Sequence, residues 1–283
     1  MPEIYFPHLN IQVKYLDRVA FSLFGLDVYW YGIIITLGII AGLGLALHIA
    51  RKSGQDEELY MDFLMYAIFF AFLGARLYYV IFKIGDYIQN PIEVFYLREG
   101  GLAIYGAIIA SVIVAIIFTK RKNIRFGQFA DTAIFGLIIG QVIGRWGNFV
   151  NREAFGDYTN SIFAMRLMKD QVSAPMTQKI LDNLQVVSGI SYIQVHPTFL
   201  YESLWNLALL IILLVYLKHK RFEGEILFLY LIGYGIGRLW IEGLRTDPLL
   251  LAILHIPVSQ VVSGFIIMIG IIGIVFGERW SKG

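Results

Sequence analysis

Seven apolar runs, each about 20 residues long, decide what this chain can fold into. They cover residues 28–50, 60–84, 101–119, 128–149, 198–217, 225–243 and 256–277. A helical run of that length crosses the roughly 30 Å hydrocarbon core of a bilayer. Helices are the expected form, because lipid offers no water to satisfy an open strand edge. The runs are continuous, unlike the short alternating strands of a membrane barrel. The chain is 58% hydrophobic and only 16% charged, against about 25% charged in a soluble domain. The reading is an all-α, polytopic membrane protein with seven transmembrane helices.

Basic residues between the runs set the orientation. Arg51 and Lys52 follow the first run, and Lys120, Arg121, Lys122 and Arg125 the third. Lys218, Lys220 and Arg221 follow the fifth, and Arg279 and Lys282 the seventh. If the runs alternate in direction, all four clusters share one side, which the excess of positive charge makes cytoplasmic. The expectation is an outside N-terminus and a cytoplasmic C-terminus, in one transmembrane catalytic domain over residues 1–283. Residues 150–196, the one long connection, would then insert as a small extracytoplasmic cap. Residues 1–27 are interrupted by Glu3, Lys14, Asp17 and Arg18. They lack the apolar core of a cleavable leader and read as a segment lying on the membrane surface.

Composition excludes some chemistry. A net charge of +2 gives no reason to expect nucleic acid as a partner. The absence of cysteine removes disulfides, thiolate catalysis and Cys-ligated metals. No internal repeat is evident, which counts against an inverted-repeat transporter. Glycines at helical spacing, Gly136, Gly140 and Gly144 and again Gly233 and Gly237, read as places where helices approach closely.

Three arginines fall inside the runs: Arg76, Arg145 and Arg238. A charge near mid-membrane costs about 2.5–3.5 kcal/mol on insertion scales, so each needs a carboxylate, a carbonyl or an anionic ligand. Arg238 has Glu242 at i+4, and Tyr234, Arg238, Glu242 and Arg245 share one helical face. Arg145 has no carboxylate at i±3 or i±4. An interhelical partner stays open for it, but an anionic ligand is the favoured reading. Arg145, Asn148 and Arg152 share a face if the helix continues that far. A phospholipid phosphate suits a planar guanidinium fork, and neighbouring asparagines suit glycerol oxygens.

The stretch GRWGNFVNREAFG, residues 144–156, closely resembles the signature of the prolipoprotein diacylglyceryl transferases. VYWYGI at 28–33, GGLAIYGA at 100–107, HPTFLYE at 196–202 and GYGIGRLWIEGLR at 233–245 extend the similarity along most of the chain. The resemblance implies a bacterial cytoplasmic-membrane enzyme that moves the diacylglyceryl group of phosphatidylglycerol. The acceptor would be the lipobox cysteine after a prolipoprotein's signal peptide. The product would be a thioether and the leaving group glycerol 1-phosphate. The family uses no metal and no soluble cofactor. Residue by residue, Arg145 matches the lipid-binding arginine, and Asn148 and Glu153 the essential asparagine and glutamate. Arg238 and Glu242 match the second arginine and its partner, Tyr31 the tyrosine near the first span, and Arg245 closes the last motif. At one position the chain departs: where many members carry histidine in HGG, it has Tyr105.

The chemistry then assigns roles. A free thiol, with a pKa near 8.5, is only a few per cent thiolate at neutral pH. Arg145 and Arg238 would neutralise the departing phosphate, an effect strengthened by a low dielectric, and would lower the thiol pKa. Tyr31, Tyr105, Arg238 and Glu242 are the expected catalytic residues; Arg145, Asn148, Glu153 and Arg245 are expected to bind substrate. Glu153, Glu202, Glu242 and His196 are further proton acceptors. Glu202 reads equally as a buried hydrogen-bonding residue, and His196, before Pro197, as loop structure. Two other classes compete with this reading: a channel or transporter with an arginine anion site, and an intramembrane hydrolase. The hydrolase lacks an HExxH or GxSxG motif in this sequence.

The basic clusters generate a direct test of topology. A reporter fused after Lys122 or Lys220 is expected to be cytoplasmic, and one inserted near Lys169 extracytoplasmic. A cytoplasmic Lys169 would refute the orientation.

Overall fold

The computed structural model describes residues 3–96, 100–251 and 256–281. The chain divides into two compact units, Met1–Leu45 with Ile134–Gly283, and Ala46–Ala133. In the first unit lie β1 (Ile4–Phe6), β2 (Ile11–Val13), β3 (Val19–Leu23) and β4 (Leu26–Tyr29). Helix α1 (Trp30–Lys52) leads into the second unit, which holds α2 (Glu58–Phe82), α3 (Ile84–Gln89) and α4 (Ile104–Arg121). Helix α5 (Phe126–Asn151) leads back. The first unit is completed by β5 (Met165–Met168), α6 (Gln178–Asp182), β6 (Gln185–Val187), β7 (Ile190–Val195), α7 (Thr198–Tyr216), α8 (Glu225–Glu242) and α9 (Val258–Ser281).

The long helices match the apolar runs within a few residues. Among the described residues, six are long and apolar enough to cross a membrane: α1, α2, α4, α5, α7 extended to His219, and α9 to Gly277. Helix α8 has 18 residues but carries Glu225, Arg238 and Glu242, which sets it apart in composition. The outward faces are those of a protein in lipid. On α4, Ile108, Ile109, Val112, Ile113, Ile116 and Ile117 are all about half exposed, a patch that water would not tolerate on a monomer.

The all-α expectation is corrected. A five-stranded antiparallel sheet runs in the order β2-β1-β5-β7-β6, and β3 and β4 form a separate hairpin. The long connection supplies three strands of the sheet, and the N-terminal segment supplies the other two. Residues 3–27 therefore contribute short strands, four of them counting the start of β4. Alternation drives this: Met165 and Leu167 point inward from β5 while Arg166 points out, and Ile4 and Phe6 point inward from β1. The inward residues join Phe155, Ile180, Ile193, Val195 and Phe199 in one apolar core. Such strands of three to six residues bury enough only when stacked together.

Arg76 in the second unit is satisfied by carbonyls. Its Nε donates to Val94 O at 2.8 Å, Nη1 to Gly100 O at 3.0 Å and Gly101 O at 3.1 Å, and Nη2 to Glu93 O at 2.7 Å. The ring of Tyr87 lies 5.4 Å from the guanidinium, near enough for cation–π attraction. Arg76 thus pins the segment that leads into α4.

The glycine spacing marks close helix approach. A Cβ on Gly42 of α1 would lie 2.6 Å from the carbonyl oxygen of Gly136 on α5, with only backbone there to give way. Gly44, two residues on, has nothing within 4 Å of such an atom. Gly42→Val is therefore expected to cost about 1–3 kcal/mol, the usual range for overpacking, whereas Gly44→Val is close to neutral. Thermal unfolding of the two variants in detergent checks this; equal midpoints would refute it.

Candidate active site

Helix α5 ends at Asn151, and the chain then twists sharply. Arg152 and Ala154 both adopt left-handed backbone, with φ of 55° and 54°, a conformation that non-glycine residues take at a cost. The twist turns successive side chains apart. Arg152 points toward the N-terminal segment, pairing with Glu3 and donating to Leu16 O at 2.5 Å. It leaves the shared face expected with Arg145 and Asn148, because the helix stops one residue too early. Glu153 folds back instead and accepts from Asn148 Nδ2 at 2.8 Å and Asn151 Nδ2 at 3.3 Å.

From Glu153 a chain of alternating charge runs across three helices. Asn148 Oδ1 is 3.5 Å from Arg145 Nη1. The other end of Arg145 pairs with Glu202 Oε1. Glu202 Oε2 accepts from Arg238 Nη1 at 3.0 Å, and Arg238 Nη2 pairs with Glu242. Glu242 is 3.9 Å from Arg245 Nη1. Arg245 in turn forms a two-pronged bond to Asp247, with both distances 3.0 Å. The i+4 partnership of Arg238 and Glu242 is as the sequence indicated. For Arg145 the interhelical partner, the less favoured reading, is present: Glu202 on α7.

Burial gives this chain a direction. The Glu202 and Glu242 side chains are only 4% and 5% exposed, whereas the Arg145 side chain is 24% exposed. Arg145 is thus more accessible than these two carboxylates, which are buried members of the chain. Each guanidinium has five N–H donors, so pairing with a carboxylate leaves donors for a second oxyanion.

Tyr31, in the first turn of α1, packs its ring against α5 where Gly147 leaves room. A Cβ on Gly147 would meet that ring at 2.7 Å. Tyr31 is close enough to Glu153 and Arg145 to interact with their charges. Backbone bonds hold the base of the site together: Gly156 N to His196 O at 3.0 Å, Asp157 N to Leu244 O at 2.8 Å and His196 N to Asp157 O at 3.0 Å. The backbone of His196 thus ties this loop together, and its ring Nδ1 lies 3.2 Å from the Tyr201 hydroxyl. Burial, aided by Lys179 and opposed by Asp157, holds its imidazole below the ordinary histidine pKa, so it is neutral at pH 7.

The structure thus gathers Tyr31, Arg145, Asn148, Glu153, Arg238, Glu242 and Arg245 in one unit. Tyr105 belongs to the other unit, in the first turn of α4, just after the segment pinned by Arg76. Glu202 and Asp247 join the network without having been among the expected site residues. Both were visible in the HPTFLYE and GLRTD stretches, but their partners lie on other helices or past a helix end.

Several helices able to cross a bilayer, with a row of paired arginines and carboxylates among them, define a multi-pass membrane protein with a charged site. The chain belongs to the prolipoprotein diacylglyceryl transferase family, which it matches over residues 18–276. It is 44% identical over 270 residues, 95% of either chain, to the phosphatidylglycerol--prolipoprotein diacylglyceryl transferase of Bacillus cereus (strain 03BB102). The same figures hold for the enzyme of that name from Bacillus thuringiensis subsp. konkukian (strain 97-27). For the Bacillus cereus (strain B4264) enzyme, identity is 43% over 274 residues, 97% of either chain.

Removing Glu202 leaves two guanidiniums without their shared counterion. Glu202→Ala is expected to lower stability by about 3–5 kcal/mol, the cost of breaking a buried ion pair from one side. Glu202→Gln, which keeps an acceptor, should lose less. Thermal unfolding in detergent decides this, and an unchanged midpoint for the alanine variant would show that the arginines need no counterion.

Proposed function

We infer that this chain transfers the diacylglyceryl group of phosphatidylglycerol to the lipobox cysteine of a prolipoprotein, the first step of bacterial lipoprotein maturation. The observation that carries the reading is the pair of arginines, Arg145 and Arg238, held on either side of Glu202 in a chain of this family. In the reaction the thiol loses its proton, sulfur bonds to the glycerol carbon, and the carbon–oxygen bond to phosphate breaks. Glycerol 1-phosphate leaves, and the proton ends on the phosphate or on water. The displacement needs no cofactor.

Arg145 and Arg238 receive the lipid phosphate on their outward N–H groups and neutralise the charge that gathers there as it departs. Glu202 fixes their separation, so the receiving fork is set before substrate arrives. Asn148 and Glu153 hold the glycerol end, with one Asn148 N–H already committed to Glu153. Glu242 and Arg245 orient Arg238. Tyr31 brings a phenol group to the reacting thiol and glycerol oxygens; Tyr105, in the place of the family's histidine, is the second catalytic phenol of this reading. The same positive charge favours the thiolate, so no strong dedicated base is required.

The protein crosses the bacterial cytoplasmic membrane seven times, with α8 as the sixth span. The charges of α8 are tolerated because each has a partner: Glu225 binds Arg221 and Tyr216, and Arg238 and Glu242 bind each other, as intramembrane ions do. The N-terminus and the sheet lie outside, and the C-terminus lies in the cytoplasm.

Purified protein, with phosphatidylglycerol and a lipobox peptide in detergent, is expected to yield a lipidated cysteine and free glycerol phosphate. Arg145→Lys keeps the charge but loses the planar fork; transfer should fall at least about tenfold, equivalent to about 1.4 kcal/mol. Tyr105→Phe should fall by roughly as much, the size of a lost transition-state hydrogen bond, while Tyr105→His keeps measurable activity. Wild-type rates in both the lysine and phenylalanine variants, at matched amounts of folded enzyme, would remove these side chains from the mechanism.

A further inference from the structure

Beside the charged chain, the first unit contains a crevice of about 800 Å³, within the size range of sites that hold organic ligands. Its walls come from the N-terminal segment, the start of the β3–β4 hairpin and the turn after β5. Tyr15, Asp17, Arg18, Tyr29, Asp170 and Ser173 line it, with Glu3 and Arg152 beside them.

Two features tie this crevice to the reacting centre. Arg152 lines it while the next residue, Glu153, faces Asn148, so a single turn of backbone separates crevice from site. Tyr29 also lines it, two residues before Tyr31. Sequence neighbours of two expected site residues therefore line the crevice.

Its chemistry selects the occupant. The two lining cations are already used: Arg152 binds Glu3 and Leu16 O, and Arg18 donates to Gln171 O at 2.8 Å. Asp17 and Asp170 are exposed at the rim. That balance disfavours a lipid phosphate and suits a neutral or basic ligand. Val19, which lines the crevice, begins β3, a strand paired with β4 alone. Among the described residues no strand pairs with the other edge of β3, and adding a strand to such an edge is one way a sheet takes up an extended peptide. Tyr15, 92% exposed and held at φ 60°, offers an aromatic wall.

We propose that this crevice binds the stretch of prolipoprotein that follows the acceptor cysteine, as an extended, non-acidic polypeptide. The proposal rests on the transferase reading above and adds a second point of grip on the protein substrate. Because the gripped residues do not react, their contacts contribute alike to ground and transition states and appear in KM rather than in kcat.

The test compares two lipobox peptides, one ending just after the cysteine and one extended by six residues that include lysine. With the wild-type enzyme the longer peptide is expected to have a KM at least about fivefold lower, with kcat unchanged. Ser173→Trp, which fills the crevice from an exposed position, should abolish that preference and leave turnover of the short peptide unaltered. Asp170→Lys should weaken the lysine-containing extension and favour a glutamate-containing one. Equal KM values for the two lengths, or a Ser173→Trp variant that retains the preference, would overturn the proposal. A shift in the KM for phosphatidylglycerol in place of the peptide would also overturn it, assigning the crevice to lipid. Failure to lipidate either peptide would refute the transferase reading, and this proposal with it.

Discussion

Glu202 is the constraint around which the first unit is organised. A guanidinium placed among apolar helices must be neutralised, and two placed close together repel each other. One carboxylate, reached by Arg145 from α5 and Arg238 from α8, answers both demands. It also fixes the register of three helices at one level, since neither arginine can slide along its neighbour without losing Glu202. Each guanidinium also reaches a second side chain, Asn148 for Arg145 and Glu242 for Arg238. One buried carboxylate thus joins two arginines from different helices into a single ion cluster.

The helical part of the fold was legible because lipid imposes a long, continuous signal. Each apolar run matches a helix, with ends shifted by a few residues: 60–84 against Glu58–Phe82, and 128–149 against Phe126–Asn151. The strands were not legible, for the opposite reason. Their longest is Ile190–Val195, and the alternation in Met165–Met168 covers four residues. Signals so short acquire meaning only through partners, and the partner of Met165–Met168 on one side is Ile4–Phe6, at the far end of the sequence.

The site was legible in a similarly uneven way. Contacts along one helix can be counted from the sequence, so Arg238 with Glu242 was evident. Contacts between helices cannot, so Glu202 was noted as a buried carboxylate without its two arginines. Arg152 shows a third case: a helical face extrapolated one residue too far. The left-handed turn at Arg152 and Ala154 carries no glycine to announce it. Tertiary bonds maintain it, from Arg152 to Glu3 on one side and from Thr198 to Ala154 O on the other.

The five-stranded sheet has a consequence for how the chain is made. Strand β1 lies between β2 and β5, so during synthesis it has only β2 until residue 168 has left the ribosome. By then α1, α2, α4 and α5 have all been made. The first residues of the chain must therefore wait, held in a lone hairpin, while four helices find their places. Their docking onto β5, and the closing of Arg152 on Glu3, can occur only once those later residues have been made. The sheet therefore acts as a latch: β1, made before those helices, meets its second partner only after them.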